Sequence, residues 1–528
     1  MLNFKKFNAV VSAFIFLILP VFLAACSEDE KERVFLSTVQ PISSDRPVTV
    51  PTSHTEPEAD YKADTYIILN NKNTTINGDG ASFKNGVLSI NKAGAYHLKG
   101  SLSGRIEVKA KKGSVRLFLN GISVEGGDNP ALSSSLKNGE LYLIPMENTS
   151  SSFTSRADGD DENDSAVFAA GSITVDGDGS LAVVCRSGVG MYSGENITFK
   201  SSSTDIQSQE TSVWALKNLK VSGGTLGVSS GGTALLAESD KSEILFEGGK
   251  TNISGIERCL KSGSDVSFSG GRHELIVGGG STDRIATGKS ESSFVSDSFS
   301  SIPAEYSKDS KVVEAGRNIF FSGGAVYTGS NADAFCASKV ISVSGGKLTV
   351  QADKTAFSSE KTVSVSGGNT DITFCGRGIK TGSLYFSGGK FSIAAKRRAI
   401  KVDKALLQSG GALIALSAGS RNNSAIDYGK ICSVSAGTLF AAGGTDELKS
   451  ITGKTASLSL DRKLSGKSTL SVTQNGAAIL SCAIPFDCDN AILFSDMLTF
   501  GSSYKIYASP ADSSESERVV LLETVTAK

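Results

Sequence analysis

The sequence predicts an all-β protein, a right-handed parallel β-helix with coils of about 22 residues and a small C-terminal β cap. Three observations predict it. First, the triplet Ser-Gly-Gly recurs at 222, 269, 322, 344, 366, 387 and 409, with variants Glu247-Gly248-Gly249 and Ser435-Ala436-Gly437. All but one of the successive triplets lie 21–26 residues apart, and a fixed period of that size marks a stacked solenoid. Second, the triplets are flanked by short segments that alternate polar and apolar residues, as strands with one buried face do. Third, 57 of 528 residues are glycine, well above the usual share of about 7%.

The elements follow in chain order. Residues 1–25 read as an export signal: Lys5 and Lys6 precede an apolar stretch from Ala9 to Ala25, and polar residues follow at once. The segment ends Leu23-Ala24-Ala25-Cys26, which resembles the bacterial lipobox. In such signals the Cys sulfur is lipidated and becomes the mature N-terminus. Cys26 is therefore the expected lipidation site, with palmitate among the acyl chains, and several chains hold a protein stably on a membrane. The expected location is the cell membrane or outer membrane, with the head in the periplasm or at the cell surface. Residues 26–63 read as the lipidated Cys and a tether, with Pro41, Pro47, Pro51 and Pro57 among polar residues.

Residues 64–455 form the predicted β-helix. Each unit holds a strand before the glycines (Val363–Ser366), one after them (Lys390–Ile393), and a third at Ala or Gly followed by an apolar residue. Ala334-Phe335, Gly378-Ile379 and Ala399-Ile400 are examples of the third. The double glycine marks a corner, because it allows backbone angles that other residues resist. The one long interval, 53 residues between the triplets at 269 and 322, is expected to hold two turns plus an insert near 278–310. Residues 456–528 break the period and read as the β cap that an open solenoid end requires.

Composition excludes several classes of function. A net charge of -1 argues against nucleic acid, whose binders carry a basic excess. Histidine occurs only at 54, 97 and 273, which leaves little material for His-based catalysis. Of the seven cysteines beyond Cys26, only Cys482 and Cys488 are close in sequence outside the repeats, and a disulfide between them is one expectation. The others read as small buried hydrophobes; Cys432 falls at the inward phase of Val363. The loop with Asp158, Asp160 and Asp164 offers closely spaced hard oxygen ligands suited to Ca²⁺, or else a plain solvated loop.

From about Asp64 to Tyr507 the chain resembles the bacterial carbohydrate-binding β-helix proteins whose founding member binds polygalacturonate with calcium. The resemblance rests on the Gly94–Gly100 strand with Leu102-Ser103-Gly104 after it, and on Leu119-Asn120-Gly121-Ile122. It also rests on the acidic loop near 158–164, the Ser-Gly-Gly ladder and the Ile492–Tyr507 segment, in that order. It implies carbohydrate binding, with calcium as a possible cofactor. The family's coil element reads Asp-Gly-Ile. Here the Asp survives only at Asp333, which the resemblance makes a metal candidate. Its equivalents are Ser165, Val189, Arg258, Thr355, Arg377, Arg398 and Ser424.

Basic residues stand where those carboxylates are lost. Arg377 and Lys380 match Arg398 and Lys401 in the next coil, and Arg258 and Lys261 share the phase further up. Like charges about 4.8 Å apart repel, so this ladder is either screened by solvent or made for an anionic partner. Arginine forks match carboxylates, and direct Arg pairing would then replace bridging calcium. Tyr385, Phe320 and Trp214 are expected aromatic contacts for sugar rings. The sequence therefore reads as a membrane-anchored lipoprotein that binds an acidic polysaccharide without catalysis. The alternatives are a polysaccharide lyase or hydrolase on a β-helix, and a surface adhesin or structural protein that binds other proteins.

Overall fold

The computed structural model describes residues 63–156, 164–281, 309–419, 423–444, 448–510 and 519–528. Cys26 and its tether, Asp158 and Asp160, and most of the expected insert lie outside these. The chain winds into a β-solenoid of about 15 coils, each contributing strands to three parallel sheets. We name them the pre-glycine, post-glycine and third sheets, after their place relative to the double glycine.

Period-two alternation sets the packing. Val340–Val343 pairs with Thr362–Val365 so that Ile341 faces Val363 and Val343 faces Val365, and all four are buried. Like residues therefore stack in columns. Phe246, Phe268 and Phe321 form such a column, with ring centroids 4.9 and 5.1 Å apart and planes within 6°. That spacing matches the distance between strands, so the stack repeats in step with the sheet. Cys432 is buried in the same core, opposite Leu406.

The corner explains the triplet residue by residue. The serine hydroxyl donates to a main-chain carbonyl one coil back, as Ser344 Oγ does to Phe321 O at 3.3 Å. The first glycine is needed for space: a Cβ at Gly345 would run into the carbonyl oxygen of Ser322. The second is needed for conformation, since Gly346 has φ +80°, a left-handed value.

The 53-residue interval is one coil, not two turns. Val266 pairs directly with Ile319 and Phe268 with Phe321 across it. The chain leaves after Arg272–Val277 and returns at Lys311–Ala315, which lies directly on Arg258–Ser262. The described strands on either side of the interval are therefore neighbours in the stack, and most of the expected insert near 278–310 lies outside the described residues.

Both ends are closed. At the N-terminus Thr65–Leu69 pairs antiparallel with Thr75–Asn77, and Ala81–Lys84 with Val87–Ile90. At the other end Asn490–Ser495 runs antiparallel to the last coil strand, Ile431–Gly443, and to Ser457–Leu460. This removes the open edge. A four-stranded antiparallel sheet follows, ordered Ala477–Ile484, Ser468–Gln474, Ser503–Pro510, Val520–Thr526. It does more than cap: Leu470, Val472, Cys482 and Ile506 pack with Leu416, Phe440 and Ala442 from the solenoid. The expected Cys482–Cys488 bridge is not formed, and both thiols are free and buried. The two sulfurs are engaged separately, Cys482 Sγ with Ala483 O at 3.5 Å and Cys488 Sγ with Ser417 O at 3.4 Å.

Candidate functional site

The inward positions are spent on the core, so chemistry falls to the outward columns. On the third sheet, Ile379 pairs with Ile400 and Lys380 with Lys401, which sets Arg377 beside Arg398. Arg397 joins them; its guanidinium lies close over Gly376. The neighbouring guanidiniums of Arg397 and Arg398 add to burial in pulling the Arg377 pKa below the ordinary arginine value. Arg377 Nε is buried and has no hydrogen-bond partner. The main compensation is Asp427, whose Oδ2 lies 3.0 Å from Arg398 Nε and 3.7 Å from Lys401 Nζ. Sequence phase sets Asp427 apart from the ladder, yet register places it opposite Lys401.

Arg258 and Lys261 do not belong to this cluster. Between the Arg258 and Arg377 coils lie those of Lys311, Asp333 and Thr355. Arg258 and Lys311 both pair with Glu314, and their charges hold the Glu314 carboxyl below its usual range against the opposing effect of burial. Lys261 is exposed and sits opposite Glu314 in register. The upper part of the predicted ladder is thus balanced by acid, and of the ladder residues Arg377, Lys380, Arg398 and Lys401 remain as a positive strip, with Arg397 beside it.

The metal candidates are also separated. Asp333 Oδ1 accepts the Thr355 N–H at 2.8 Å, and its register neighbour is Lys311. Asp164 adjoins the strand Ser165–Ala169, and its carbonyl accepts the Val189 N–H at 2.9 Å. Six coils separate the two positions. Among the described residues no group of three or more His, Cys, Asp or Glu is placed to hold a metal ion. The coil position at Asp333 does not fit calcium, since its neighbours are Lys311 on one side and Thr355 on the other and neither adds a carboxylate.

Aromatics divide by face. Tyr385 and Phe320 are exposed on the pre-glycine sheet, away from the strip. Trp214 belongs to an outward row on the third sheet. Phe168 and Tyr192 stack at 5.4 Å, Tyr192 meets Trp214 edge-on at 5.4 Å, and Trp214 Nε1 donates to Glu238 Oε2. Each of these rings is thus already engaged with a neighbour in the row. His273 is a core residue: Nε2 lies 2.7 Å from Gly270 O, so it donates there, and Nδ1 accepts from Thr251 Oγ1 at 3.0 Å. Burial lowers its pKa and keeps the ring neutral.

One feature was missed by reading phases. Where the four-stranded sheet leans on the post-glycine sheet, a cleft of about 320 Å³ opens. Its floor is a grid of two outward columns, Lys347, Asn369 and Lys390 beside Thr349, Asp371 and Ser392. Its roof is Ser481–Ala483, and Ile414 and Leu416 close one end. The signal was present in the residues two apart after each double glycine, but the roof comes from a strand about 90 residues away.

The fold and these faces define a class: a β-solenoid whose polar outward columns offer long, shallow surfaces to an extended ligand. The family model of carbohydrate-binding domain-containing proteins matches residues 84–352 and 322–479. The chain belongs to that family, and binding of carbohydrate is its general role. None of the curated proteins matches the sequence. A solved structure described as the polysaccharide lyase-like protein from C. thermocellum, in a gadolinium derivative, is 18% identical with a TM-score of 0.37. The match covers 40% of this chain and 91% of that one.

Proposed function

We propose that the protein is an exported, lipid-anchored binder of acidic polysaccharide that does not cleave its ligand. The observation that carries this reading is the strip at Arg377 and Arg398. A half-buried guanidinium with an unsatisfied Nε, crowded by two more guanidiniums, is costly in the free protein. An anion arriving at this half-buried guanidinium pairs with its accessible side and relieves the repulsion. A polyuronate offers such anions in a row, and the strip runs along the stack of coils. The Arg side chains do the work that calcium would otherwise do, so binding is expected to survive EDTA. Lipidation at Cys26 would hold the head at a membrane, with residues 27–63 as spacer.

The test is affinity electrophoresis and calorimetry against polygalacturonate, with and without EDTA. Wild type should be retarded in both conditions, and Arg377→Glu/Arg398→Glu should lose at least tenfold in affinity. Equal retardation of the two proteins refutes the strip. For the alternative of a lyase, the readout is release of unsaturated uronides. Its appearance would overturn the non-catalytic reading.

A further inference from the structure

Whether a polysaccharide binder grips chains along their length or at their ends depends on whether its binding face is open at both ends. The post-glycine sheet, a second face beside the one that carries the arginine strip, is closed at one end. One of its outward columns reads Tyr327, Thr349, Asp371, Ser392, Ile414, Phe440, each residue in register with the next. The first four are polar or amphipathic. The last two are apolar, and they lie under the four-stranded sheet, with Phe440 fully covered. A chain laid along this column toward the C-terminal end meets a wall. The cleft is the space just before that wall.

We propose that the cleft seats the terminal residue of an acidic polysaccharide, so that this face recognises chain ends. The inference rests on the acidic-polysaccharide reading above. The volume, about 320 Å³, is at the small end of ligand sites, which span about 300–1,000 Å³. It suits the end of a chain rather than its length. The floor supplies matching chemistry. Lys347 and Lys390 stand two coils apart, about 10 Å, on either side of Asn369. Both lysines line the cleft, and their positive charge suits a uronate carboxylate. Asp371, Thr349 and Ser392 line the next column, as acceptors and donors for ring hydroxyls. Asp371 makes no ion pair or side-chain hydrogen bond among the described residues, and its acceptor capacity is open to a ligand. Burial raises the pKa of this carboxyl while Lys390 opposes the rise, as expected for a carboxylate partly roofed but unpaired. The wall itself ends the subsite, because the apolar residues at Ile414 and Leu416 offer a following sugar no hydrogen bond.

The experiment is calorimetry with a galacturonate trimer and with long polygalacturonate, the two matched in total uronate. Two variants probe the cleft by independent routes. Lys390→Glu reverses one ammonium, and Ala483→Trp fills the space from the exposed roof strand without touching the floor. Wild type should bind the trimer, and both variants should weaken that binding at least tenfold with unchanged circular dichroism. Unchanged trimer affinity in both variants overturns the inference, as does wild type that binds polymer but not trimer; the acidic-polysaccharide reading survives either result. Wild type that binds neither ligand overturns both.

Discussion

The corner glycines allow a prediction whose magnitude can be worked in parts. Gly476 has φ +82° and nothing within 4 Å of an added Cβ. Gly476→Ala therefore carries only the left-handed backbone cost, about 1–2 kcal/mol. Gly345 carries no left-handed angle, but its Cβ would strike the Ser322 carbonyl of the coil below. Backbone must move there, and overpacking of this kind costs about 1–3 kcal/mol. Gly346→Ala meets both penalties, with φ +80° and a Cβ 2.8 Å from Gly323 O. The sum is about 2–5 kcal/mol if the two are independent. In a solenoid each coil touches only its neighbours, so the displaced carbonyl weakens the interface between two coils. Urea unfolding followed by circular dichroism measures the three variants, read as midpoint shifts at constant slope. The expected order of destabilisation places Gly346→Ala first. If Gly346→Ala costs no more than Gly476→Ala, close approach between coils is not what selects the first and second glycines together, and the account of the triplet fails.

Other outcomes follow from the same geometry. Phe268 lies between two stacked rings, and Phe268→Ala should cost about 3–5 kcal/mol in the same assay. His273 is buried neutral with a pKa lowered from 6.5. Below about pH 6.5 the unfolded chain takes up a proton that the folded chain refuses. Its contribution is therefore flat above that pH and falls as pH drops, by at most about 1.4 kcal/mol per unit until the folded ring titrates. His273→Leu should flatten this part of the stability profile; an unchanged profile would assign the loss to other groups. Burial pushes the Cys482 thiol up to about 11 and Cys488 up to about 12. Neither should react with a thiol reagent near neutral pH until the protein is unfolded, and fast reaction in the native state would contradict their placement. Apart from the geometry, the proposed lipid anchor carries its own test: on that proposal Cys26→Ser should move the protein from the membrane to the soluble fraction, and an unchanged distribution would refute the anchor.

The fold was legible because the solenoid writes itself into sequence twice, once in the triplet and once in the alternation between triplets. Val363, Val365, Cys432 and Val434 could be aligned from phase alone, and they do share two inward columns. The interval of 53 misled because division by 22 treats all residues as stacked. Only pairing shows that Phe268 and Phe321 are neighbours. The site was less legible. Phase put Arg377 beside Arg398 correctly, but it also grouped Arg258 with them, because phase says where a residue sits around a coil and not what lies in the coils between. Glu314, which pairs with Arg258 and Lys311, belongs to the intervening coil that the insert concealed.

The cleft shows the deeper reason why outward chemistry resists such reading. Inward residues answer to one constraint repeated in every coil, so deviations stand out. Outward residues answer to whatever lies over them, and that changes along the stack. Ile414 follows Ser392 in its column, which as sequence is an apolar residue at an exposed phase and nothing more. It becomes meaningful only when Leu470, Val472 and Cys482 are seen to pack against that part of the sheet. The change from polar to apolar along one outward column is then the footprint of the C-terminal sheet. The boundary of that footprint is where an extended ligand must stop. The same step can be sought in any solenoid with an appended sheet: an outward column that turns apolar near one end predicts both a docked element and a blocked track beside it.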